Sequence, residues 1–156
     1  MSLCFRKPTR LPGYDYSADN YYFVTICTHE KACIFGKPNE LNALGEIAKA
    51  AFCNIEAHFS TVQVDQCIVM PNHVHAIIQL CGADSEKSVN LSTVVGLYKS
   101  GVTREIRKLH PSMQVWQRSF HDHVIRDQRE YEKIWTYVHY NHQKWSEDCF
   151  YIPLDE

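Results

Sequence analysis

His73 and His75 stand two residues apart in the run MPNHVHAIIQL (70–80). On a strand that spacing projects both imidazoles from one face, where neutral ring nitrogens can hold a divalent cation. The same pair also suits ordinary surface or core positions. The apolar flank of Val74, Ala76, Ile77 and Ile78 argues for a central strand, in which a buried imidazole needs a partner. Tyr137 and Asn141 are four apart in a helical pattern, and so share a face about one turn from each other. They offer a phenolic nucleophile and an amide oxygen, although a tyrosine at helical spacing equally fits a core position with its hydroxyl in water. A phenol with a pKa of ~10 attacks poorly at neutral pH. A cation on His73, His75 and Asn141 would ease loss of its proton, polarise a phosphate and align the scissile bond. Two imidazoles and an amide leave such an ion its full charge and bind it weakly, so substrate phosphate and water would complete the shell of Mg²⁺ or Mn²⁺.

Other residues allow two readings each. Arg118, Arg126 and Arg129 can grip phosphates or read guanines, or can pair with Asp122, Asp127 and Glu130. His121 and His123 alternate on an expected strand over 120–126, as a second cluster supporting the first or as packing residues. Arg6, Lys7 and Arg10 form a DNA-binding arm or a plain basic tail. Trp116 can stack a base or sit in the core. Asp65, on the strand expected to pair with 73–80, is placed to orient a histidine.

The elements that must position these groups follow from periodicity. Residues 21–28 (YYFVTICT) read as a buried strand, and 62–70 and 73–80 as two strands joined by a Pro71-Asn72 turn. Apolar residues at helical spacing give a helix over 41–59, opened by Asn39 or Asn42, and another over 91–109, closed by Pro111. Residues 115–126 read as extended, and Asp127 with Glu130 forms a capping box for a helix over 128–144. The order predicts an α+β fold: a ferredoxin-like or RRM-like antiparallel sheet (βαββαβ) with an added C-terminal helix carrying the tyrosine. Helices on one face of that sheet would leave the other free for a ligand.

Composition bounds the rest. The chain of 156 residues is 45% hydrophobic and 22% charged, enough for one domain with a real core, 1–156. Collagen, coiled-coil and disulfide-scaffold classes are excluded, and no apolar run reaches membrane-spanning length. Seven cysteines without a C-x-x-C pair suit free buried thiols in a reducing cytoplasm. A net charge of −2 excludes indiscriminate polyanion binding, yet the charge is uneven. A basic arm covers 1–14, residues 99–133 hold eight basic side chains against five acidic ones, and 146–156 form an acidic tail.

The Pro-Asn-His-Val-His core at 71–75 resembles the HUH signature of single-tyrosine transposases. LPGYDYSADNYYFVTICTHEKACIFG (11–36) and VWQRSFHDHVIRDQREYEKIWTYVHYNHQKW (115–145) resemble the opening and closing segments of the REP-associated tyrosine transposase branch. The resemblance implies a metal-dependent endonuclease and strand transferase acting on single-stranded DNA that carries a hairpin, through a 5′-phosphotyrosine intermediate. By position, His73 and His75 match the metal histidines, Tyr137 the attacking tyrosine and Asn141 the polar ligand. The branch usually has Asn-Pro where this chain has Asn141-His142, and histidine need not end the helix there. Relatives include both monomers and dimers that exchange the tyrosine helix, so the resemblance leaves the oligomeric state open. Two rival functions remain at this point: an idle hairpin-binding module, and a zinc hydrolase that adds His121 or His123 to the H-x-H pair.

Overall fold

The computed structural model describes residues 10–154. Four strands form an antiparallel sheet: β1 (Asn20–Cys27), β4 (Val62–Met70), β5 (His73–Leu80) and β6 (His121–Ile125), in the order β4-β5-β1-β6. A two-residue ribbon, β2 (Gly36–Lys37) and β3 (Glu40–Leu41), turns through Asn39 at φ 62. The helices are α1 (Ala43–His58), α2 (Leu91–Leu109) and α3 (Gln128–Tyr140). Asn42 and Asn90 cap the first two, their side chains accepting from Gly45 and Thr93 N–H groups.

Strand alternation divides the sheet into two unlike faces. Tyr22, Val24 and Ile26 of β1, Val74, Ala76, Ile78 and Leu80 of β5, and Val124 of β6 pack with α1 and α2 into the main core. The register Cys27↔His73, Thr25↔His75 and Phe23↔Ile77 puts the histidines on the opposite face. That face is not open, as the sequence reading expects. Helix α3 lies on it, bringing Tyr131 against Tyr21 and Tyr137 against Phe23, at ring separations of 5.1 and 6.1 Å.

Two boundaries differ from expectation. Only 121–125 of the extended 115–126 run joins the sheet, because Ser119 takes φ 69 and breaks the strand. Upstream of that break, Trp116 forms a lone bridge to Thr28. Helix α3 ends at Tyr140 rather than 144, tightening into a 3₁₀ segment, Asn141–Glu147, that leaves helical geometry at Lys144. His142 sits in that segment, so the helix ends at this point without a proline. The cysteines carry no disulfide among the described residues, but only Cys27 is fully buried, while Cys53 and Cys81 are exposed. Among the described residues, no helix is long and apolar enough to cross a membrane.

Candidate functional site

The β4–β5 turn builds the site. Pro71-Asn72 closes it tightly, and Asn72 is completely buried with its amide Nδ2 donating to the carbonyls of Lys31 and Phe150, at 3.2 and 2.7 Å. With the nitrogen so committed, Oδ1 can only accept, and it lies 2.9 Å from His73 Nδ1. His73 Nδ1 therefore donates to Asn72, and Nε2 is the ring nitrogen turned toward the cluster. His75 Nδ1 lies 2.8 Å from Thr25 Oγ1 on the neighbouring strand, a hydroxyl that can give or take the bond. Both Nε2 atoms are buried with no hydrogen-bond partner among the described residues. Burial first, and His73 second, push the His75 pKa well down, so this ring is a neutral donor at physiological pH.

The third donor is one that sequence reasoning missed. The chain beyond α3 turns back, and Asp148 brings its fully buried carboxylate to 3.4 Å from His73 Nε2. Single atoms of His73, His75 and Asp148 all lie within 4.8 Å of one another. Two ligands bonded to one ion at ~2.1 Å stand roughly 3.0–3.5 Å apart, so a divalent cation fits this set after small shifts. Two imidazole nitrogens left buried and unsatisfied are what a ligand set looks like. Burial pushes the Asp148 pKa up, but the neighbouring His73 ring and the Phe150 N–H outweigh it and hold the carboxyl at about 2. Asp148 adds an anion beside the neutral donors expected from sequence.

Tyr137 comes to the same place from α3. Its ring packs on His75 at 5.5 Å, edge to face, and it is 45% exposed. Burial, then the Asp148 carboxylate and Cys149, push its phenol pKa up. Asn141 is buried and donates through Nδ2 to Asp148 Oδ2 at 3.2 Å, one hydrogen bond away from His73. Helix α3 is fixed at its start by Asp127 accepting from Glu130 N–H, and Glu130 in turn accepts from Arg126 N–H. The expected capping box thus forms, displaced by one residue on its return arm.

The remaining candidates lie elsewhere. Asp65 is the extra residue of a β-bulge between Val64 and Gln66, and its carboxylate accepts from the Tyr131 hydroxyl rather than orienting a histidine. His123 contacts Glu130, and His121 is exposed beside Phe150 at 6.5 Å, so neither joins the cluster. Arg10 is bonded to Asp122 at 2.7 Å and stacks over Phe120, while Arg6 and Lys7 lie outside the described residues. Arg118, Arg126 and Arg129 are exposed, and among the described residues none forms an ion pair with Asp122, Asp127 or Glu130. Trp116 packs on Phe35 and Tyr98 and donates to Lys99 O, which makes it a core residue.

This arrangement has relatives. A protein of Haemophilus influenzae without an assigned activity is 33% identical, over 94% of this chain and 93% of its own length. A second Haemophilus influenzae protein, named as a candidate REP-associated tyrosine transposase, is 24% identical over 81% of this chain and 72% of its own. Among solved structures, a REP-associated tyrosine transposase bound to a REP hairpin superposes with a TM-score of 0.66 at 18% identity, covering 86% of this chain and 74% of that one. A candidate transposase from Deinococcus radiodurans gives a TM-score of 0.54 at 16% identity, over 85% and 97%. Residues 16–141 match the family described as "Transposase IS200 like", and the chain belongs to that family.

Proposed function

We infer that the protein is a metal-dependent single-stranded DNA endonuclease and strand transferase that recognises hairpin DNA and forms a 5′-phosphotyrosine intermediate on Tyr137. One observation carries the reading: two buried imidazole nitrogens and a carboxylate converge within 4.8 Å, with the Tyr137 ring packed against one of those imidazoles. A divalent ion, Mg²⁺ or Mn²⁺, held by His73, His75 and Asp148, would polarise the phosphate and lower the cost of the phenolate. The chain's own residues do the rest. Thr25 and Asn72 hold the two rings by their Nδ1 atoms, and Asn141 holds the Asp148 carboxylate in place. Tyr137 Oη forms the bond to phosphorus as its proton passes to water. The P–O3′ bond breaks, and the departing oxygen takes up a proton to become a free 3′-hydroxyl. The phosphodiester energy is kept in the tyrosyl ester, so a second 3′-hydroxyl can reverse the step and join strands.

Tyr137 packs on His75 of its own chain, which supports a site assembled within one copy. A solved structure of similar fold carries a REP hairpin, which supports hairpin DNA as the partner. A zinc hydrolase would draw His121 or His123 into the ligand set, and neither stands there. The test is a Tyr137→Phe variant incubated with Mn²⁺ and a hairpin oligonucleotide bearing single-stranded flanks. Wild type gives an SDS-resistant protein–DNA adduct, whereas the variant gives none and still binds the hairpin. An adduct that persists in the variant overturns the assignment.

A further inference from the structure

Helix α3 carries Tyr137, yet apolar packing holds it by a thin stripe. Of its 13 residues only Val138 is fully buried, with Tyr131, Ile134 and Trp135 half-buried on the same side. Apolar burial is non-directional, so such a stripe resists lifting off the sheet better than it resists sliding along it. A slide of one helical turn would carry the phenol about 5.4 Å from its place on His75. A directional contact has to set the register, as single polar residues do between packed helices.

The bulge in β4 supplies that contact. Val62 and Val64 before it, and Cys67 and Val69 after it, all pack toward the main core. Strict alternation would not allow this, and the extra residue restores it. Val64 pairs with Ile78 and Gln66 with Ile77, which leaves Asp65 without a partner on β5. Side-chain oxygens brace the insertion, Glu56 of α1 accepting from Val64 N–H at 2.8 Å and Gln66 from Cys67 N–H at 3.1 Å. Held there, the Asp65 carboxylate accepts from the Tyr131 hydroxyl at 2.7 Å, and among the described residues it forms no ion pair. The Tyr131 ring stands edge-on to Tyr21 at 5.1 Å. From that point a row of rings leads to the site. Tyr21 and Phe23 are alternate residues of β1, about 7 Å apart on one face. Phe23 in turn stacks on His75 at 5.1 Å and meets Tyr137 at 6.1 Å. Tyr131 and Tyr137 are about 9 Å apart along the helix axis, so helix row and strand row lie side by side. The Asp65–Tyr131 bond stands at one end of them and the His75–Tyr137 contact at the other.

We propose that Asp65 and Tyr131 are a positioning pair, whose bond sets the register of α3 on the sheet and so holds Tyr137 over His75 for attack. This rests on the tyrosine chemistry inferred above. The test follows single-turnover adduct formation with Mn²⁺ and saturating hairpin oligonucleotide bearing single-stranded flanks. Tyr131→Phe keeps the ring against Tyr21 and deletes the hydroxyl, and Asp65→Ala deletes the acceptor. Each should slow the adduct step roughly tenfold. The double variant should be no slower than either single one, because both remove the same bond. Asp65→Asn, whose amide oxygen still accepts, should regain most of the rate. Hairpin affinity by anisotropy and the rise in melting temperature on adding Mn²⁺ should hold in all four variants, which a general loosening of the fold would not allow. Wild-type rates in Tyr131→Phe and Asp65→Ala, losses that multiply in the double variant, or hairpin affinity falling in step with rate would each overturn the proposal. A wild-type protein that forms no adduct overturns the tyrosine chemistry and this assignment with it, so the two failures are told apart.

Discussion

Asn72 shows how much can rest on one buried amide. A turn after Pro71 needs a small polar residue, and the sequence makes that much plain. Nothing in the sequence says that its Nδ2 is pinned by Lys31 and Phe150 carbonyls, and that pinning orients the His73 ring. An Asn72→Ala variant should bind Mn²⁺ roughly 10–100-fold more weakly while keeping both histidines. The readout is thermal: wild type at a hundredfold excess of Mn²⁺ over its Kd gains about 2.7 kcal/mol, or roughly 5–10 °C in Tm. At the same Mn²⁺ concentration the variant should gain far less; an equal gain would show that the amide does not orient the ring. His73, His75 and Tyr137 were legible because their types and spacing survive in a linear reading. Asp148 was not, because it reaches the histidines only when the chain doubles back, and no periodicity marks a carboxylate in an acidic tail.

At the scale of elements, the strongly patterned pieces read true. Strands 62–70 and 73–80 and helix 91–109 fall on their expected bounds, since a proline turn and an asparagine cap fix their ends. The 115–126 run did not, because the left-handed Ser119 leaves no sequence signature a serine would betray. Helix α3 matters most, since it carries Tyr137, and its start depends on Asp127. Asp127→Ala should cost about 1 kcal/mol, lowering Tm by roughly 2–4 °C, and should slow adduct formation by loosening the tyrosine. Loss of stability with an unchanged adduct rate would mean that packing on Phe23 and His75 alone holds the ring.

For the whole molecule, two sulfhydryls couple stability to alkali. Burial pushes the Cys27 thiol up to about 12 and the Cys67 thiol up to about 11, against 9.0 in the unfolded chain. The folded protein keeps protons that the unfolded chain releases, so both contributions are complete below pH 9 and drain away as pH climbs toward 11 and 12. Urea midpoints should hold steady from pH 7 to about 8.5 and then fall, and Cys27→Ala should fall less steeply. A variant as alkali-sensitive as wild type would shift the blame to other groups, such as Tyr131, whose pKa burial raises to about 12.

The stretch from Asn141 to Phe150 roofs the imidazoles, with Phe150 4.9 Å and Trp145 6.2 Å from the His73 ring. It rests on an imperfect seal, for Trp145 buries an indole N–H without an acceptor among the described residues. The same stretch carries Asp148 onto His73 and lends the Phe150 carbonyl to the Asn72 amide, so the roof is bonded to the ligands it covers. Loosening the chain there would cost the site its carboxylate and the anchor of its histidine turn together.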